Sequence, residues 1–469
     1  MRTTRALATI AMTMALAACD LAPKYARPEL PVPVTSPQGP AYAAGLGGSI
    51  VPADTAWRDF FTDPRLVRVI DTALANNRDL RIAVANVAQA RAQYRVQRAD
   101  LGPTVNGTAS ATYSEQPLVQ FGQPQRLNTD VYQAQLGISA WEIDLFGRVR
   151  NMTRAAQEQY FASVENRNAA QVSLIAETAN AWLAMSGDQE RLRIATELEK
   201  AFGKTLQLTR ARFAKGIASE LEVRQAQTSY DQARSDIAQA TTLVAQDQNA
   251  LNLLAGTTVP ASDLPDALPP GSAMLDNLPS GISSDVLLRR PDIAAAEHQL
   301  RGANANIGAA RAAFFPNISL TAALGTVSLG LSNLFKSGSE TWSVGPSATL
   351  PIFDFGRNKG NLQYARATYD AMLATYEKSV QAGFREVADA LARRGTMSQQ
   401  LEAQTSLRDA ARSAYTLSEA RFRSGVDSFL TTLDSQRTLY TAEQSLLATR
   451  LTRATNMVEL YRSMGGGLR

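Results

Sequence analysis

One histidine and one cysteine are all that this 469-residue chain offers to soft-metal or nucleophilic chemistry. A thiol mechanism, a Ser-His-Asp triad and a Cys/His metal centre therefore have almost nothing to work with. His298 lies in an Ala- and Gln-rich helical pattern and reads as a helix-surface residue. Cys19 is the lone cysteine, so no disulfide framework exists. No Gly-rich phosphate loop is present. The net charge is only +4, with basic residues scattered rather than clustered, which does not imply nucleic acid.

The one reactive position with a context is Cys19. Arg2 and Arg5 precede an apolar run, Ala6–Ala17, that is too short to span a bilayer. The run ends in Leu16-Ala17-Ala18-Cys19, which resembles the bacterial lipobox. Residues 1–18 are expected to be a signal peptide, with Cys19 lipidated as the first mature residue. That covalent lipid is the only cofactor-like group expected. Asp20 follows it, and in some bacteria an aspartate there holds a lipoprotein at the inner membrane. Mean hydropathy is slightly negative at −0.17, and no long apolar run follows the signal.

The elements that position these residues come twice. A shift of 213 lays Asp79-Leu80 on Asp292-Ile293, Arg98-Ala99 on Arg311-Ala312 and Pro103 on Pro316. A shift of 209 lays Phe146-Gly147-Arg148 on Phe355-Gly356-Arg357, Ala211-Arg212-Phe213 on Ala420-Arg421-Phe422, and Gly216 on Gly425. A repeat this long is a duplicated half-protein, not a solenoid unit. Residues 125–259 and 352–469 contain no proline and are rich in Ala, Gln, Glu, Arg and Leu. Each reads as a long helical hairpin turning at Gly216 or Gly425, with arms of about 100 Å.

Before each hairpin, apolar and uncharged polar residues alternate. The segments are 104–113, 131–141, 317–324 and 341–350, each about the length of a strand crossing a bilayer. Pro346 predicts a bulge or an edge in the fourth. Four strands cannot close a barrel, and an open edge cannot face lipid, so closure needs other copies; three would give twelve strands.

Several segments resemble the outer-membrane factor (TolC-like) family, in its lipoprotein branch serving RND drug-efflux systems (OprM-like). They are 290–300 beginning Arg290-Pro291-Asp292, its continuation to Leu320, 350–357 ending Phe355-Gly356-Arg357, 420–437 and the terminal Gly465-Gly466-Gly467. The resemblance covers the whole mature chain. It implies an α+β membrane protein: a homotrimer with a twelve-stranded transmembrane β-barrel continuing into a long periplasmic α-helical barrel. Residues 19–62 would be a lipidated N-terminal arm and 63–256 the first repeat. Residues 257–289 would be a Pro-rich equatorial linker and 290–469 the second repeat.

The implied function is the outer-membrane exit duct of a tripartite multidrug efflux pump, passive and not an enzyme. Its implied partners are a periplasmic membrane-fusion adaptor, an inner-membrane RND transporter and outer-membrane lipid. By the resemblance, Arg212, Phe213, Lys215, Gly216, Ile217, Ala218, Ser219 and Leu221 form one adaptor-contacting tip. Ser424, Gly425, Val426 and Asp427 belong to the other. Leu430 and Asp434, four apart and on one helical face, would narrow the closed pore in rings, with Phe422, Arg421 and Arg423 beside them. Phe422 stands where relatives often have tyrosine, position 431 is Thr rather than acidic, and the first-repeat counterpart of Asp434 is Gln225. Two other readings stay open: the duct of an ATP-driven type I protein-secretion system, and a periplasmic helical scaffold without a channel.

Overall fold

The computed structural model describes residues 20–35, 37–42, 55–120, 123–269, 273–275 and 283–468. Cys19 and the expected signal segment lie outside them.

In chain order the helices are α1 (Trp57–Phe60), α2 (Pro64–Asn76) and α3 (Arg78–Ala99), followed by strands β1 (Val105–Gln120) and β2 (Gln123–Glu142). Then come the long helices α4 (Arg148–Ala214) and α5 (Glu220–Ala255). The second half repeats the series with α6 (Pro291–Ala312), β3 (Asn317–Ser328), β4 (Glu340–Thr349), α7 (Arg357–Arg423) and α8 (Phe429–Ser463). Helices α4 and α7 each have 67 residues, which is about 100 Å at 1.5 Å per residue. Among the described residues no helix is long and apolar enough to cross a membrane.

The chain divides into two compact units. One holds the segment ending at Glu29 together with Asn86–Val164 and Ala295–Tyr376. Its four strands form one antiparallel sheet in the order β1-β2-β3-β4. Residues directly opposite one another share a face. One face therefore carries Val105, Ile138, Ala322 and Val344 in one row and Leu136, Leu324 and Trp342 in the next. The other carries Asn106, Gly137, Ala323 and Ser343, then Thr108, Gln135 and Thr341. The expected alternation is thus present as an apolar face backed by an uncharged polar one.

One detail differs from expectation. Strands β1 and β2 have 16 and 20 residues rather than about ten. Beyond Tyr132, β2 has no β3 partner, so residues 112–120 and 123–131 continue as a two-stranded ribbon. Residues there are mostly polar, so no apolar alternation marks the extension in the sequence. Pro346 lies on β4, an edge strand of the sheet as expected, in a register without a bulge. The bulge is instead in β2, between Ile138 and Trp141, where Ala140 has φ +50°.

In the same unit the N-terminal arm is tied down by charge. The Asp20 carboxylate accepts from Asn151 Nδ2 at 2.9 Å and Arg154 Nη1 at 2.7 Å. Glu297 receives Arg27 at 2.9 Å and Arg301 at 2.6 Å. His298 Nδ1 lies 2.6 Å from Glu158 Oε2, a partly buried structural contact.

The second unit holds Leu30–Ala85, Glu165–Ala294 and Glu377–Arg469. Phe60 stacks on Tyr461 at 4.7 Å between ring centroids. The Arg290 guanidinium, 5% exposed, donates to Ser463 O at 2.9 Å, Asp292 at 2.7 Å and Glu386 at 2.9 Å. A buried cation is tolerable only with partners of this kind. Asn77, the first-repeat counterpart of Arg290, donates to Leu254 O at 2.9 Å, and Leu254 is the counterpart of Ser463. The duplication therefore extends to individual contacts.

Candidate functional site

The two helical hairpins end in turns of identical backbone design. After α7, Gly425 takes φ +75°, its N–H bonds to Phe422 O at 3.0 Å, and Val426 N–H reaches Arg421 O at 2.9 Å. After α4, Gly216 takes φ +72°, bonds to Phe213 O at 2.9 Å, and Ile217 N–H reaches Arg212 O at 2.9 Å. This paired closure is the Schellman motif, which consumes helix-end carbonyls and needs a left-handed residue. The chain then re-enters a helix through a serine cap. Ser219 Oγ accepts from Glu222 N at 3.2 Å while Glu222 accepts from Ser219 N at 2.6 Å, a full capping box. Ser428 Oγ accepts from Thr431 N at 3.3 Å with no acidic return bond.

Beneath the second turn lies an apolar core. Phe422 and Phe429 are buried, with ring centroids 5.9 Å apart, and are joined by Phe202, Leu206 and Leu433. The Arg212 guanidinium sits 4.7 Å over the Phe422 ring. Phe422 is thus a packing residue, with no hydroxyl to lend. Phe429/Leu433 and Phe202/Leu206 are each four apart, a helical-face signal in the sequence that would have found this core.

Outside the core, the expected tip residues are in water. Phe213 is 46% exposed, Ile217 63%, Leu221 66% and Val426 64%. Arg212 and Ala218 are half-buried, and Lys215, Gly216, Ser219, Ser424 and Gly425 are exposed. Leu430 and Asp434 are both exposed on α8, while Thr432, Leu433 and Gln436 on its other side are buried. The structure keeps Leu430 and Asp434 on one face. Within one chain neither arginine reaches Asp434. Arg421 forks onto Asp427 at 2.7 and 2.8 Å, and Arg423 bonds to Glu419 at 2.6 Å. The fork holds the Asp427 carboxyl below the usual carboxylate range.

Two contacts between the repeats were not foreseen. Arg437 Nη2 donates to Ser229 Oγ at 2.9 Å, and Tyr440 Oη donates to Asp236 Oδ2 at 2.8 Å. Both join α8 to α5. Burial and that carboxylate push the Tyr440 phenol up, so it stays a donor. No cluster of three or more metal-ligating side chains occurs among the described residues.

Comparisons with known proteins agree on what this architecture is. A family model described as outer membrane efflux protein matches residues 69–257 and 282–466. The probable efflux pump outer membrane protein TtgC of Pseudomonas putida is 45% identical over 465 residues, covering 99% of this chain and 96% of the relative. The outer membrane protein OprJ of Pseudomonas aeruginosa is 40% identical over 461 residues, covering 98% and 95%. Among solved structures, the open state of the Neisseria gonorrhoeae MtrE outer membrane channel superposes with a TM-score of 0.86 at 39% identity. It covers 96% of this chain and 99% of that one.

Proposed function

We propose, for a chain that belongs to the outer membrane efflux protein family and is an outer-membrane efflux channel, that three copies close one barrel. The single observation that carries this is the sheet. It has one apolar face and two strands, β1 and β4, with a free edge. Lipid tolerates the face but not the edges, so other copies must supply the missing partners. The polar faces of Ser, Thr, Asn and Gln then line a water-filled lumen that selects little, and selection belongs to the pump.

In this reading the protein forms no bonds in its cargo and acts as a passive duct. The Cys19 lipid and the barrel hold it in the outer membrane. The exposed apolar residues of the tips, Phe213, Ile217, Leu221 and Val426, receive a periplasmic adaptor, because apolar surface left in water at a loop invites a partner. The adaptor couples the duct to an inner-membrane, proton-driven transporter of the RND class. Leu430 and Asp434 ring the closed pore. Opening separates the helices that Arg437–Ser229 and Tyr440–Asp236 now join, and an adaptor that binds the dilated tip better shifts that equilibrium.

The test is a photo-crosslinking amino acid at Val426 in living cells. Capture of an adaptor that brings down a proton-driven drug transporter is expected. Capture of an adaptor joined to an ATP-driven exporter with a polypeptide cargo would move the protein to secretion. A chain that is extracted without forming trimers would make it a scaffold.

A further inference from the structure

The internal repeat specifies how the free edges meet. The two hairpins share one register. Val105 opposite Ile138 becomes Ile318 opposite Ala348, and Ala109 opposite Ala134 becomes Ala322 opposite Val344. Ala111 opposite Tyr132 becomes Leu324 opposite Trp342. Each pair is carried over by a shift of 213 on the first strand and 210 on the second. The shift of 209 found in the helices resumes beyond the β2 bulge, which holds the one extra residue.

The β2–β3 junction joins the end of the first half to the start of the second. In a ring of copies the same junction recurs where the end of the second half, β4, meets the start of a neighbour's first half, β1. The β2–β3 register pairs Ala134 with Thr326, Leu136 with Leu324 and Ile138 with Ala322. Carried over by the same shifts, it places Val344 opposite the partner subunit's Tyr113. It also places Pro346 opposite the partner subunit's Ala111, and Ala348 opposite the partner subunit's Ala109. We infer that this is the register of the seam between copies.

Two properties of the strands agree with it. The three pairs named each set an apolar or small residue against another on the same face, with Trp342 falling opposite Glu115 beyond them, whereas a slip of one residue would set Val344 against Thr112 or Ser114 and turn one strand inside out. The register also runs from Glu340 opposite Pro117 to Thr349 opposite Thr108, so all of β4 finds a partner within β1. The ribbon extension of β1 past the counterpart of the β3 end thereby gains a role.

This inference rests on the reading that copies close a barrel, and adds which residues meet. The test is the full-length chain carrying Val344→Cys and Tyr113→Cys, oxidised in outer membranes and run without reductant. Paired positions place Cα atoms within disulfide reach, while positions two residues along lie at about 7–8 Å. Most of the protein is expected in a linked ladder ending at the trimer. The single variants, which control for Cys19, give none, and Val344→Cys with Ala111→Cys gives little. Ser343→Cys with Ser114→Cys reports the same register from the lumenal face and covers a failure of the first pair to fold. A trimer in which the slipped pair links as well as or better than both matched pairs, or in which no pair links, overturns the register alone. A chain that is monomeric in detergent and unlinked by every pair overturns the barrel reading itself.

Discussion

The two tips share a backbone and little else. Both turn through a glycine near φ +70° with the same pair of hydrogen bonds. At the first tip the aromatic Phe213 stands in water, and a capping box with Glu222 anchors the following helix. At the second, the equivalent Phe422 is buried against Phe429, and Asp427 occupies the place of Ala218 to receive the Arg421 fork. Duplication preserved the fold of the hairpin, which backbone bonding and glycine dictate. It left side chains free to make one tip an open contact surface and the other an internally held one. The pair proposed to narrow the pore follows the same division, since Asp434 has only Gln225 as its counterpart.

The strongest way to break this comparison is to truncate both aromatics. Phe422→Ala empties a buried site and is expected to cost about 3–5 kcal/mol, felt first as local opening of the tip. Phe213→Ala removes an exposed ring and should stay within about 0.5 kcal/mol. Urea denaturation combined with limited proteolysis at the tips reads both. Equal losses would show that the two tips are held alike. A second test concerns current rather than stability. In the proposed closed ring, three Asp434 carboxylates around one axis would attract cations that brace it, since like charges held close require compensation. Asp434→Ala should therefore raise resting conductance in a planar bilayer several-fold, and Gln225→Ala should leave it unchanged. Unaltered conductance in Asp434→Ala would take the gate away from this ring.

Much of the molecule was legible because the signals were long. Proline-free, Ala-rich tracts and a glycine at the centre of each fixed the helical hairpins, and period-2 alternation marked the membrane-facing part of the sheet. What escaped notice has physical reasons. The ribbon at 112–120 and 123–131 has no third strand beside it within the chain, so no apolar face is required along it. The β2 bulge turns on Ala140 at φ +50°, a conformation that alanine does not advertise. The Arg421–Asp427 fork spans six residues across a turn, a spacing no helical rule links. The Tyr440–Asp236 and Arg437–Ser229 contacts join residues more than 200 positions apart, which only the packing of one repeat on the other brings together.

The smallest expected effect isolates the fork. Arg421 is exposed and Asp427 half-buried at the surface, so their attraction is weak and screened by salt. Yet it has a direction that the first tip lacks. Arg421 lowers the Asp427 carboxyl below its ordinary value of 3.8. A depressed carboxylate stabilises the folded tip fully above that unfolded value, and the contribution disappears as pH falls through the lower folded value. A spin label at Val426→Cys should therefore gain mobility on acidification below about pH 4, and Arg421→Gln should remove that step while raising mobility at neutral pH. The same label at Ile217→Cys, beside Ala218, should show no such step. An acid transition of equal size at both tips would place its origin in the shared backbone turn and not in the fork. High salt provides the final discrimination, since screening shrinks a fork-dependent step and leaves a backbone-dependent one unchanged.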